Sequence, residues 1–172
     1  MRNLKVVLLL VTALSLFSSS LLAQDKIAVV DLGAAIFGSD VAQKRQKDLQ
    51  AKSEYAALQA KYESTAADIQ AMQKEAESKS MTWSDTQKDE FQKKMEYLRA
   101  DIELTARKLE SEARALQNNI VRELQPKALE AIQELVAEEG ITVLLRADAV
   151  LMAKPEINLT AKLTERLNSK TK

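Results

Sequence analysis

The chain has 172 residues, with 25 Lys+Arg against 25 Asp+Glu, three Gly, two Pro, and neither His nor Cys. Five Gly and Pro in this length argue against a loop-rich β fold or a dinucleotide-binding α/β enzyme. The missing residue types exclude disulfides, thiol nucleophiles, imidazole bases and zinc sites built on His or Cys, leaving carboxylates, amines and hydroxyls for any chemistry.

Residues 1–23 have the layout of a secretory signal, with Arg2 and Lys5 ahead of an apolar run from Val6 to Phe17 and a closing stretch from Ser18 to Ala23. That run falls short of the roughly 20 apolar residues needed to span a bilayer, so export with cleavage after Ala23 is expected rather than a retained anchor. Removing Arg2 and Lys5 leaves 23 basic against 25 acidic residues, a formal charge of −2. Such a balance provides no field to attract nucleic acid or an anionic membrane surface.

After the leader, Lys26 to Leu32 is a β-branched run that predicts a strand. From Ser39 to Ser80 there is neither Gly nor Pro, and Ser39 or Asp40 can cap the start of a long helix. Within it Ala51, Tyr55, Leu58, Tyr62, Thr65, Ile69, Met72 and Ala76 alternate steps of four and three, a sustained heptad seam. A second helix is predicted from Ser84 to Gln125, opened by a Ser84/Gln87 capping box and carrying the seam Phe91, Met95, Leu98, Ile102, Thr105 and Leu109. Only Met81 to Ser84 separate the two, which favours an antiparallel hairpin whose facing residues sum to 167.

Beyond Leu109 the seam loosens and Glu112 falls where an apolar residue is wanted. Pro126 is expected to kink or break the helix, after which an amphipathic stretch runs to Gly140. Ile141 to Leu145 and Ala149 to Ala153 read as two further strands, and Leu159, Leu163 and Leu167 mark a closing helix that Thr160 can cap. The fold class is therefore α+β: a helical-hairpin arm, residues 39–125 with its tip near 81–84, inserted in a small β-rich trimerisation body formed by 24–38 and 126–172. A body of about 62 residues is marginal alone, so self-association is expected. Ile27, Val29, Val30, Ile141, Val143 and Leu145 are the candidate contacts between copies.

Strand, Gly/Pro-free hairpin, Gly140-Ile-Thr-Val-Leu-Leu-Arg-Ala-Asp-Ala-Val-Leu-Met-Ala153, Ile157-Asn-Leu-Thr160 and Leu163 to Asn168, in that order, resemble the Skp/OmpH-like periplasmic chaperones over nearly the whole chain after the leader. The resemblance implies a homotrimer whose three arms enclose a cavity for unfolded outer-membrane proteins, held without ATP and passed on towards membrane assembly. It also implies a periplasmic location; separately, nothing among the carboxylates singles out a buried acid and base pair, so no enzymatic activity and no cofactor are expected. Two departures stand out. The pI of 6.4 contrasts with markedly basic relatives and argues against lipopolysaccharide or anionic-lipid contact, and Asn158 stands where an Asp is common.

Candidate client-binding residues are Met81 and Trp83 at the tip and Leu49, Tyr97 and Leu104 off the seams. Each has a plainer alternative: Met81 and Trp83 can close the hairpin over Phe91, and the others can be ordinary scattered surface apolar residues. Residues 43–115 carry 14 basic and 14 acidic side chains, so clusters such as Lys44-Arg45-Lys47 read as an ion-paired helix surface rather than a phosphate site. With only three glycines there is no phosphate-binding loop. Ser169 and Lys172 match a catalytic spacing but lie at a terminus expected to fray. The other function class consistent with the sequence is a structural or adaptor coiled coil of the cell envelope that docks on a partner helix.

Overall fold

A computed structural model describes residues 26–172; the expected leader and its cleavage point lie outside the described residues. Strand β1 (Ile27–Val30) leads into helix α1 (Leu32–Phe37), α2 (Asp40–Ala51) and α3 (Ser53–Lys79). A single 3₁₀ turn, Ser80–Thr82, connects α3 to the 55-residue α4 (Asp85–Glu139), which is followed by β2 (Val143–Arg146) and α5 (Thr160–Lys170). β1 and β2 pair in parallel, Ile27 with Val143 through Val30 with Arg146.

The caps explain where the helices start and stop. Ser84 Oγ accepts from the Gln87 amide, while the Gln87 side chain accepts from the Ser84 amide, forming the expected capping box. Ser39 caps α2 by accepting from Ala42 N. Helix α1 had no counterpart among the expected elements; the Asp31 carboxylate starts it by accepting from Ala34 N at 2.8 Å. α4 ends at Gly140, whose φ of 62° lies in the left-handed region, with Ile141 N bonded back to Val136 O in a Schellman arrangement. Gly38 is required for another reason: a Cβ there would lie 2.8 Å from the Ala34 carbonyl oxygen.

Four expectations are corrected by the structure. The first helix is interrupted at Lys52, whose ψ of 128° is extended, so the long run divides into α2 and α3. α4 continues through Pro126, so of the expected kink or break the break does not occur. The lost ladder bond to the Arg122 carbonyl is outweighed because Ile120, Leu124, Ala128, Ala131 and Leu135 carry one buried stripe across the proline. No strand forms at 149–153: Ala147–Ala149 is a 3₁₀ turn, and the residues after it pair with no strand among the described residues. Finally, Thr160 does not cap α5 with its hydroxyl. That oxygen accepts from Asp31 N at 2.9 Å and ties the end of β1 to α5, while Asn158 Oδ1 accepts from Thr160 N.

The core lies at the root of the hairpin. Ile36, Ala42, Ile120, Leu124, Ala128 and Leu167 form one buried cluster, and Val30, Ala35, Ala131, Leu135 and Leu163 another beside it. Ala42, Ile120 and Leu124 fall within the expected arm, so the packed body extends up both helices past residues 39 and 125. The part of the arm standing clear of it is α3 against the facing stretch of α4, roughly 40 Å for 27 residues.

Candidate functional site: the arm and the open face of the body

Along the arm, seam residues are the sheltered ones. Met95, Leu98, Thr65 and Thr105 are buried, and Tyr55, Leu58, Ile69, Met72, Ile102 and Leu109 are half-buried, whereas Ala51 and Tyr62 are exposed. The two threonines would each place an unpaired hydroxyl in the seam, but each bonds to the carbonyl one turn back in its own helix, Thr65 to Lys61 O and Thr105 to Asp101 O. Lys61 then reaches across to Asp101 at 2.6 Å, and Arg45 to Glu123 at 2.7 Å. These pairs sum to 162 and 168 and bracket the expected register of 167. Asp101 raises the Lys61 pKa, chiefly through that hydrogen bond.

At the tip, Trp83 packs on Phe91 with ring centroids 4.9 Å apart and planes inclined at 44°. This is the hairpin-closing role. Met81 is fully exposed on the same turn. Tyr97 and Leu104 are 69% and 53% exposed, seven residues apart and therefore on one face of α4 about 10 Å apart. Leu49 differs from them: it is buried at the root, facing Leu116 and Ala115 across the hairpin, and presents no surface to a bound chain.

The six candidate contacts between copies also divide. Val29, Val30 and Ile141 are buried in the subunit itself. The interior position of Val29 and Val30 follows from β1 being covered on both edges, by β2 and by a bridge to Asn158, with Leu159 N donating to Val29 O at 2.8 Å, whereas Ile141 precedes β2 and clusters with Ala28 and Leu159. Ile27, Val143 and Leu145 remain 47%, 42% and 39% exposed. Ile27 and Val143 are register partners, and Leu145 follows Val143 by two, so the three form an apolar stripe on one face of the sheet.

Sequence reasoning missed an ionic clamp that locks α5 to the end of α4. Glu130, Glu134 and Glu138 follow each other at intervals of four on α4, as Lys162, Arg166 and Lys170 do on α5; that matched spacing was the available signal. Arg166 bonds Glu134 at 3.1 Å and Glu138 at 2.8 Å, and Lys170 bonds Glu134 at 2.7 Å. Glu139 accepts from both Lys162 and Lys26, and these bonds lower its pKa to about 2 from 4.5, Lys162 contributing most. Glu134 and Glu138 are lowered too, the first mainly by Lys170 and the second by Arg166. A carboxylate depressed on folding stabilises the fold above its unfolded value and loses that contribution as pH falls through its folded value. The attachment of α5 is therefore expected to weaken between about pH 4.5 and pH 2. Urea midpoints should fall across this window, and Glu139→Gln should flatten the slope. High salt should also reduce the slope, since the pairs are partly solvated.

Among the described residues no group of three or more His, Cys, Asp or Glu is placed to hold a metal, and no helix is long and apolar enough to cross a membrane. No buried side-chain polar atom among them is left without a hydrogen-bond partner. A small α+β body carrying a long helical arm, with apolar residues displayed on both, defines a helical-hairpin interaction protein. The family model described as outer membrane protein (OmpH-like) matches residues 26–167, and the chain belongs to that family. A Skp-like protein of Pseudomonas aeruginosa is 24% identical over 159 residues, spanning 92% of this chain and 94% of that one. A crystal structure from Caulobacter crescentus CB15, described as a candidate outer membrane chaperone (OmpH-like), matches with a TM-score of 0.48 at 18% identity, covering 84% of each chain.

Proposed function

We propose that this protein is a periplasmic holdase: an ATP-independent chaperone that assembles as a homotrimer and shelters unfolded outer-membrane β-barrel proteins between its arms. The observation that carries the reading is the pairing of an arm projecting well beyond the core with exposed Met81, Tyr97 and Leu104 along it. A β-barrel precursor is an extended chain of alternating apolar residues that aggregates through its strand edges while outside the membrane. Many weak apolar contacts spread over several arms hold such a chain without fixing its conformation, and weak contacts release it without fuel. The arm's balanced charge adds no preference for anionic partners.

Light scattering from an unfolded outer-membrane β-barrel diluted out of denaturant tests this. A stoichiometric amount of the protein is expected to suppress the rise, and Tyr97→Ser with Leu104→Ser to weaken suppression several-fold at unchanged helicity. Undiminished aggregation with the unaltered protein would contradict the holdase reading and favour an adaptor that docks on a single partner helix.

A further inference from the structure

The sulfur of this chain is held in methionine alone. There is no cysteine, and three of the five methionines, Met72, Met81 and Met95, lie towards the tip of the arm. Their surroundings differ. Met81 is fully exposed on the turn, Met72 is half-buried in the seam of α3, and Met95 is only 6% exposed in the seam of α4. The register set by the cross-arm ion pairs, near 167, brings Met95 to the level of Met72. Met95 is sheltered but not walled in: with Phe91, Gln92, Glu96, Arg99 and Glu103 it lines an open groove of about 590 Å³ along the flank of α4. The arm beyond it is closed by the Trp83–Phe91 contact and a single 3₁₀ turn, so opening at this end does not require the core at the root to unfold.

We infer that Met95 is a modification site and an oxidation switch of the arm: conversion of its thioether to the sulfoxide by hydrogen peroxide moves the side chain from the seam into the groove and loosens the hairpin from this layer to the tip. The peroxide supplies the oxygen. A sulfur lone pair attacks one peroxide oxygen, the S–O bond forms as the O–O bond breaks, the sulfur loses two electrons, and the second oxygen leaves with both protons as water. The product carries a strong acceptor where the thioether had a weak one. In the seam that oxygen finds no donor, because Ile69 and Leu98 of the next layer are aliphatic and the hydroxyls of Thr65 and Thr105 are committed to Lys61 O and Asp101 O. In the groove Gln92 and Arg99 carry N–H donors. Reduced sulfur therefore favours the inner position and the sulfoxide the outer one. Leaving the seam empties a layer beside buried Leu98 and removes packing from the distal arm. Met81 is already solvated, so its oxidation changes surface and not packing. The core clusters of the body contain no methionine and are spared. Sulfoxide reduction resets the switch.

Treating the purified protein with hydrogen peroxide, and following it by peptide mass mapping and hydrogen exchange, tests the inference. Met81 is expected to gain oxygen first and Met95 several-fold more slowly. Amide protection between residues 69 and 98 is expected to fall in step with oxidation of Met95 rather than of Met81, while β1, β2 and α5 keep theirs. Met95→Leu, a substitution of similar volume, is expected to retain helicity and to keep its protection after the same treatment, whereas Met81→Leu loses protection as the unaltered protein does. Methionine sulfoxide reductases specific for the two epimers are expected to restore it. Met95 left unoxidised while Met81 is fully converted would overturn the inference, as would a sulfoxide at Met95 with protection unchanged. Equal loss of protection in the Met95→Leu protein would also overturn it, by transferring the effect to Met72. The time course in the unaltered protein decides the question even where Met95→Leu folds poorly.

Discussion

Replacing Val29 with Asp is expected to unfold the body rather than separate intact subunits. Val29 is 3% exposed, its carbonyl accepts from Leu159 N, and its strand is flanked by β2 and by Asn158. A carboxylate there would be shut away from water. The cost is several kcal/mol, comparable with the ~5–15 kcal/mol margin of an ordinary domain. Hydrogen exchange should show protection lost across β1, β2 and α5, with the seam between α3 and α4 retaining more of it. Val143→Asp is the matched control: at 42% exposure the carboxylate remains solvated, so the subunit is expected to stay folded while its association weakens. Equal loss of folding in both variants would contradict this division of the sheet.

Leu124→Ala is expected to have the second-largest effect. Leu124 is fully buried in the cluster where α4 meets α1, α2 and α5, beside Ile36, Ala42, Ile120 and Leu167. Truncating a leucine in such a site removes its transfer energy and leaves a cavity, together roughly 2–5 kcal/mol. The same truncation at Leu104, exposed on the arm, should change stability by no more than about 0.5 kcal/mol. Urea denaturation at fixed protein concentration distinguishes the two, because a shift in the association equilibrium would otherwise be mixed into the midpoint.

The hairpin was legible because its signals are local and redundant. A run without Gly or Pro, alternating four and three spacings, and a Ser84/Gln87 capping box all specify the same two helices. The closing helix was legible for a similar reason, with Leu159, Leu163 and Leu167 all buried. Where tertiary packing overrode local preference, the reading failed. Pro126 is a helix breaker by intrinsic propensity, but the stripe from Ile120 to Leu135 packs on α1 and α5 and keeps the helix intact across it. The interruption at Lys52 has no residue signature, since neither Gly nor Pro is near. α1 was missed because six residues are too few for periodicity, although Asp31 in capping spacing to Ala34 was visible.

The candidate site was less legible than the fold. A strand of Val, Ile and Leu reads as apolar whether it faces its own core or another copy. Val29, Val30 and Ile141 could therefore not be told from Ile27, Val143 and Leu145 until β1 was seen covered on both edges and Ile141 clustered with Ala28 and Leu159. Off-seam position separated Tyr97 and Leu104 correctly from the hairpin interior but failed for Leu49, which lies where α2 crosses the root of α4 rather than along the regular seam.

Native mass measurement of the purified protein mixed with an unfolded outer-membrane β-barrel tests the central claim most directly. The account predicts three copies carrying one bound precursor, with the complex lost in the Tyr97→Ser, Leu104→Ser protein. A single-copy particle, or a trimer that never acquires the mass of the precursor, would contradict it.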